Sequence, residues 1–223
     1  LISTPGSNVH SGQDRPATAL ELRRLGCSRG SRRLFSAIDL TLVGGELLRV
    51  LGANGAGKTS LLRILCGLTA PSEGEVMWQG RSLSAQRDDF HRDLIYLGHA
   101  AALKDDLTAL ENLIAVSVMS GHRLERALAL QALADAGLRT REHLPARSLS
   151  QGQRRRVNLA RLVHGRSARL WVLDEPFNAL DTAASEWLAA LVAAHLTQGG
   201  VVVLTSHQPV ALDASVRQRE LIL

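Results

Sequence analysis

The stretch GANGAGKT, residues 52–59, constrains this chain more than any other. It has the pattern G-x-x-x-x-G-K-[ST] and follows ELLRVL (46–51), a short apolar run that reads as a strand. It opens into KTSLLRILCGL (58–68), whose apolar positions recur at helical spacing until Gly67 stops the helix. A strand, a glycine-rich turn and a helix in this order make a cradle for phosphate. The glycines let backbone N–H groups close around phosphate oxygens, and the helix N-terminus adds positive partial charge. The predicted nucleotide site therefore takes in Gly52, Ala53, Asn54, Gly55, Ala56, Gly57, Lys58, Thr59 and Ser60. Lys58 is expected to reach the β- and γ-phosphates, and the Thr59 hydroxyl to bind Mg²⁺. A purely structural glycine turn is the alternative, and the quality of the flanks argues against it.

Such a turn needs a sheet behind it. Short apolar runs bounded by turns alternate with helical patterns, which predicts an α/β domain with a parallel sheet. EVMW (75–78) and LIYL (94–97) read as strands, while ARLWVLDEP (168–176) and VVVLTSH (201–207) are apolar enough to be buried on both faces. Between about 100 and 149 the pattern turns helical. Thr108 and Glu111 have capping-box spacing ahead of NLIAVSVM, and RLERALALQALADAGL is a second amphipathic helix ending at Gly137. The predicted organisation is a core over 18–98 and 150–223, a helical lobe inserted over 99–149, and a polar, disordered leader over 1–17.

Composition excludes more than it identifies. No apolar run reaches the roughly 18 residues that would span a bilayer. Aromatic residues make up only 3%, too few for base-stacking platforms, and the net charge of +5 suits several classes of partner. Cys27 and Cys66 have no metal or redox spacing, and Cys66 is expected to be a buried thiol.

Two further segments carry chemistry. In LWVLDEP (170–176) an apolar strand ends in two carboxylates. Asp174 is placed to hold the Mg²⁺ hydration shell, and Glu175 to accept a proton from an attacking water. In LSQGQRRRVNLARL (149–162), Ser150 and Gln153 have capping-box spacing. Taken alone, that segment reads as a well-capped surface helix with a solvated face, RRR.

The order phosphate loop, helical lobe, LSQGQ, LDEP, ALD, TSH resembles the nucleotide-binding domain of ABC ATPases, from about residue 18 to the end. The resemblance implies a P-loop NTPase fold and a homodimer that sandwiches two ATP molecules. Ser150 and Gly152, with Gln153 alongside, would then complete the site of a second copy. Asp181 matches the D-loop, and His207 matches the switch histidine that contacts the γ-phosphate. Lys58, Glu175 and His207 are the implied catalytic groups. Gln151 stands where glycine is commonest, and Arg29 aligns loosely with the adenine-stacking aromatic, where a solvated arginine is an equal reading.

His99 departs from the usual glutamine, which contacts metal and water and links the site to the helical lobe. Histidine there, followed by LKDDLTALENL, is similar to a narrower group, the ATP-binding subunits of the cytochrome c maturation (haem export) system. NGAGKTSLLRILCGL, GEVMWQG, LWVLDEPFNALD and TSHQP agree, while Ala100 stands where that group is expected to have glutamine. The resemblance implies an ATPase at the cytoplasmic face of a bacterial inner membrane, driving separate membrane subunits, with no nucleic acid. His99 would couple ATP state to the lobe through a metal-bound water or a hydrogen bond; a helix-flanking histidine without a role is the alternative. The competing functions are the ATPase of another exporter, for a peptide or drug, and an ABC ATPase acting on nucleic acid or ribosomes, which the pI near 10.2 keeps open. A non-hydrolysing binding module is the third, and the presence of Lys58, Asp174, Glu175 and His207 argues against it.

Overall fold

The computed structural model describes residues 19–120, 123–165, 168–206 and 216–223. Its strands are Ala19–Arg29 (β1), Arg32–Val43 (β2), Glu46–Leu51 (β3), Glu73–Trp78 (β4), Arg81–Ser82 (β5), Leu94–Leu97 (β6), Leu170–Leu173 (β7), Val201–Thr205 (β8) and Arg217–Ile222 (β9). Its helices are Lys58–Leu65 (α1), Arg87–Arg92 (α2), Ala109–Met119 (α3), Arg126–Asp135 (α4), Gln151–Leu159 (α5), Arg161–His164 (α6) and Thr182–Thr197 (α7).

The expected parallel sheet is present, in the order β6-β7-β8-β3-β9. Strands β7 and β8 are buried at every residue, and their alternation explains why. Leu170, Val172, Val201 and Val203 point into one apolar cluster with Leu61, Leu62 and Leu65 of α1. Trp171, Leu173, Val202 and Leu204 point into another with Leu188, Val192 and Leu196 of α7. Covered on both faces, these strands need no polar side, so they read as continuous apolar runs.

A second, antiparallel sheet, β2-β1-β4-β5, has no counterpart in the sequence reading, and EVMW belongs to it rather than to the parallel sheet. Its inward residues Leu20, Leu22, Leu25, Ile38 and Leu42 join the α1 cluster, so that core lies between the two sheets. The pairing of β1 with β2 shifts register between Leu22 and Leu25, and again on either side of Cys27. Each shift breaks the period-2 alternation that marks a strand in sequence.

Helix α1 ends at Leu65, earlier than the 58–68 pattern suggests. Gly67 N–H donates to Ile64 O and Leu68 N–H to Arg63 O, both at 2.9 Å, which closes the last turn in the paired manner of a Schellman cap. Cys27 and Cys66 are both buried and unbridged, and burial pushes the Cys66 thiol up.

A third cluster packs Ala109, Leu110 and Leu113 of α3 against Ala129, Ala132 and Leu133 of α4, together with Val157 of α5. The capping box at α3 is formed: the Thr108 hydroxyl accepts from Glu111 N–H, and the Glu111 carboxylate accepts from Thr108 N–H. Among the described residues no helix is long and apolar enough to cross a membrane.

Candidate nucleotide site

The loop between β3 and α1 turns where the parallel sheet ends. Gly57 caps α1 with φ of 112°, a left-handed conformation that L side chains rarely adopt. A Cβ there would also lie 3.1 Å from Leu34 Cβ and 3.2 Å from Phe35 Cδ1, so the loop rests against the start of β2. The Lys58 side chain is largely buried and folds back over the loop, its Nζ donating to Gly52 O (2.7 Å) and Ala53 O (3.2 Å). Arg29 pairs with Arg32 at the tip of the β1–β2 hairpin and is exposed; Phe35, which touches the loop, pairs with Cys27 two residues before Arg29.

Asp174 and Glu175 leave the sheet at the end of β7. Asp174 is 3% exposed, and both its carboxylate oxygens are engaged. Oδ2 accepts from the Thr59 hydroxyl at 3.0 Å, tying the phosphate loop to this strand end, and Oδ1 accepts from the Thr205 hydroxyl at 2.8 Å. Thr205 closes β8 and in turn accepts from Glu175 N–H at 2.7 Å. Glu175 has φ of 49°, a strained conformation for a non-glycine residue. Its Oε2 accepts from Asn178 Nδ2 and lies 3.6 Å from His99 Nδ1. Lys58, Thr59, Asp174, Glu175 and His99 are thus brought together, with the His99 side chain 70% exposed. His207 lies outside the described residues.

Ser150, Gly152, Gln153 and Asp181 form a second group. The box at Ser150 closes, its hydroxyl accepting from Gln153 N–H at 3.2 Å and its own N–H donating to Gln153 Oε1 at 2.9 Å. A Cβ on Gly152 would come 2.8 Å from Ala179 O, so only glycine lets α5 approach the backbone of the segment that follows Glu175. Asp181 caps α7 by accepting from Ala184 N–H at 2.8 Å and pairs with Arg156 at 3.7 Å. The arginine run is not a solvated face. Arg154 bonds Asp105 at 2.6 Å, Arg155 is buried, and Arg156 reaches Asp181. A cavity of about 340 Å³ is lined in part by His99, Gln151, Arg155 and Asn178.

Sequence reasoning missed Thr205, Asn178, Arg155 and Asn112. Asn112 is 2% exposed; its Oδ1 accepts from Lys104 N–H, and its Nδ2 donates to the carbonyls of Lys104, Leu107 and Thr108. It ties the loop that leaves His99 to α3.

The profile of the ABC transporter family matches residues 35–178. The chain belongs to that family. It is 52% identical over 203 residues to the cytochrome c biogenesis ATP-binding export protein CcmA of Dechloromonas aromatica, covering 91% of this chain and 99% of that one. The protein of the same name from Pseudomonas aeruginosa is 47% identical over 88% of this chain and 96% of its own length, and that from Escherichia coli O157:H7 is 48% identical over 90% and 94%. Among solved structures, a putative ABC transporter ATP-binding protein from Pyrococcus furiosus aligns with a TM-score of 0.77 at 24% identity, over 91% of this chain and 97% of that one, a likeness of fold alone. The dimeric post-hydrolysis structure of the ATP-binding cassette MJ0796, bound to ADP and Pi, aligns at 0.72 with 25% identity, over 85% and 88%. This ABC chain is accordingly an ATPase with the P-loop NTPase fold, its phosphate loop and acidic strand end joined by the Thr59–Asp174 bond.

Proposed function

We propose that this chain is the ATP-hydrolysing subunit of a bacterial complex for cytochrome c biogenesis, working at the cytoplasmic face of the inner membrane and driving separate membrane subunits. The reading is carried by identity near 50%, over almost the whole of both chains, to proteins named for that export function.

Hydrolysis is assigned to the first group of residues. The N–H groups of the 52–57 turn and Lys58 bind the phosphates of ATP and hold the γ-phosphoryl in place. Thr59 and Asp174, whose side-chain oxygens converge at 3.0 Å, are hard donors that fit Mg²⁺ and would hold it, the ion supplying neutralisation of phosphate charge. Glu175 takes a proton from the attacking water at its carboxylate, which Asn178 and His99 orient from one side. His207 is assigned to the γ-phosphate. Ser150, Gly152 and Gln153, at the capped start of α5, would face the γ-phosphate of a second copy, with Asp181 between the two sites.

Purification of the tagged chain from membranes tests this assignment. The membrane proteins of cytochrome c maturation are expected to accompany it; a permease of another kind in their place would contradict the reading.

A further inference from the structure

Strands β6 and β7 pair through Leu97 and Leu173, and the last bond between them runs from Asp174 N–H to Leu97 O at 2.8 Å. Beyond that rung the two strands part, and the carbonyls of Gly98, His99, Asp174 and Glu175 leave the ladder. All four accept from one guanidinium. Arg155 Nη1 donates to Gly98 O (3.1 Å) and His99 O (2.8 Å), and Nη2 donates to Asp174 O and Glu175 O, both at 2.6 Å.

Among the described residues these four carbonyls are the hydrogen-bond partners of the Arg155 side chain. It is 7% exposed, its Nε has no hydrogen-bond partner among the described residues, and burial pulls its pKa down against the opposing charges of Asp174 and Glu175. A planar fork with fixed donors can bridge two diverging backbones in a way that a lysine ammonium cannot. One of the bridged residues is Glu175, whose left-handed backbone persists only if its surroundings over-determine it. Thr205 fixes its N–H and Arg155 fixes its carbonyl.

We propose that Arg155 is a positioning residue for hydrolysis, clamping the ends of β6 and β7 so that His99 and the strained Glu175 face the same reacting centre. The inference rests on the assignment of Glu175 as the base. Because Arg155 sits one turn into the helix that Ser150 caps, the clamp also fastens that helix to the chain's own acidic strand end.

Steady-state ATPase kinetics of the complex with its membrane subunits, for wild type, Arg155→Gln and Arg155→Lys, test the clamp. With Glu175 and His99 mispositioned and the Asp174 carboxylate still held by Thr59 and Thr205, Arg155→Gln is expected to lose about tenfold or more in kcat, while KM for ATP and the affinity for a fluorescent ATP analogue stay within about twofold. Arg155→Lys, which keeps the charge and reaches fewer carbonyls, should recover part of kcat; if the glutamine variant fails to fold, the lysine variant carries the test by the same split. Wild-type kcat in both variants would overturn the proposal. So would a parallel fall in kcat, nucleotide affinity and melting temperature, which marks a structural role only. A wild-type complex that hydrolyses no ATP would instead contradict the ATPase reading, before any substitution is made.

Discussion

At the scale of single residues, one hydroxyl ties the Asp174 carboxylate to the Glu175 backbone. Thr205 donates to Asp174 and accepts from Glu175 N–H. Thr205→Val keeps the shape but leaves a buried carboxylate oxygen and a backbone N–H without that partner, a cost of about 1–3 kcal/mol. Chemical denaturation should register that loss, and kcat should fall with it. Asn178→Ala removes the donor to Glu175 Oε2 and should lower kcat by about tenfold while leaving ATP affinity near wild type, in keeping with a contact to the proposed proton acceptor alone. The contiguous motifs made Lys58, Thr59, Asp174 and Glu175 legible from the sequence. Thr205 and Arg155 were not, because their partners lie about 20–30 residues and more away, and only the sheet order brings them near. His195 belongs to the same class of hidden residue. It stacks on Trp171 with ring centroids 3.9 Å apart, its Nε2 has no hydrogen-bond partner among the described residues, and burial pushes its pKa down to about 4. The folded protein prefers the neutral ring, so this stabilisation is complete above the ordinary histidine range and is lost as pH falls from about 6.5 toward 4. His195→Phe, which keeps a ring on Trp171 and removes the titration, should flatten the fall in stability between pH 7 and pH 5.

At the scale of elements, both capping boxes were legible because Ser150–Gln153 and Thr108–Glu111 satisfy a local spacing rule that needs no tertiary information. The antiparallel sheet was not, since the bulges in β1 erase its alternation, and neither was the engagement of the arginine run on α5. Helix α5 meets the segment after Glu175 at Gly152, where a methyl group would come 2.8 Å from Ala179 O. Gly152→Ala should therefore displace the start of α5 from that segment and lower turnover, with the fold retained by circular dichroism. Ser150→Ala removes one cap and should cost about 1 kcal/mol of stability, measurable by denaturant titration. A turnover loss far beyond what that change in stability explains would mark Ser150 as a nucleotide contact as well as a cap.

For the whole molecule, the parallel sheet delivers the phosphate loop, the acidic strand end and Thr205 to one edge. The residues around Ser150 and Asp181 gather in a group of their own, joined by Arg156 and by the close approach of Gly152 to Ala179. Under the proposed function, that division suits a sandwich of two copies, each lending its second group to the other's nucleotide. Glu175→Gln, which keeps the shape and removes the proposed proton acceptor, should trap such a dimer with ATP, seen as a doubled mass by light scattering. In the proposed function, ATP hydrolysis at this site powers cytochrome c biogenesis. The direct measurement is covalent haem in c-type cytochromes of a strain lacking the chain, resupplied with wild type or with Glu175→Gln. The deletion should abolish covalent haem, wild type should restore it and Glu175→Gln should not. Cytochromes that keep their haem without the chain, or that Glu175→Gln restores in full, would contradict the proposed function.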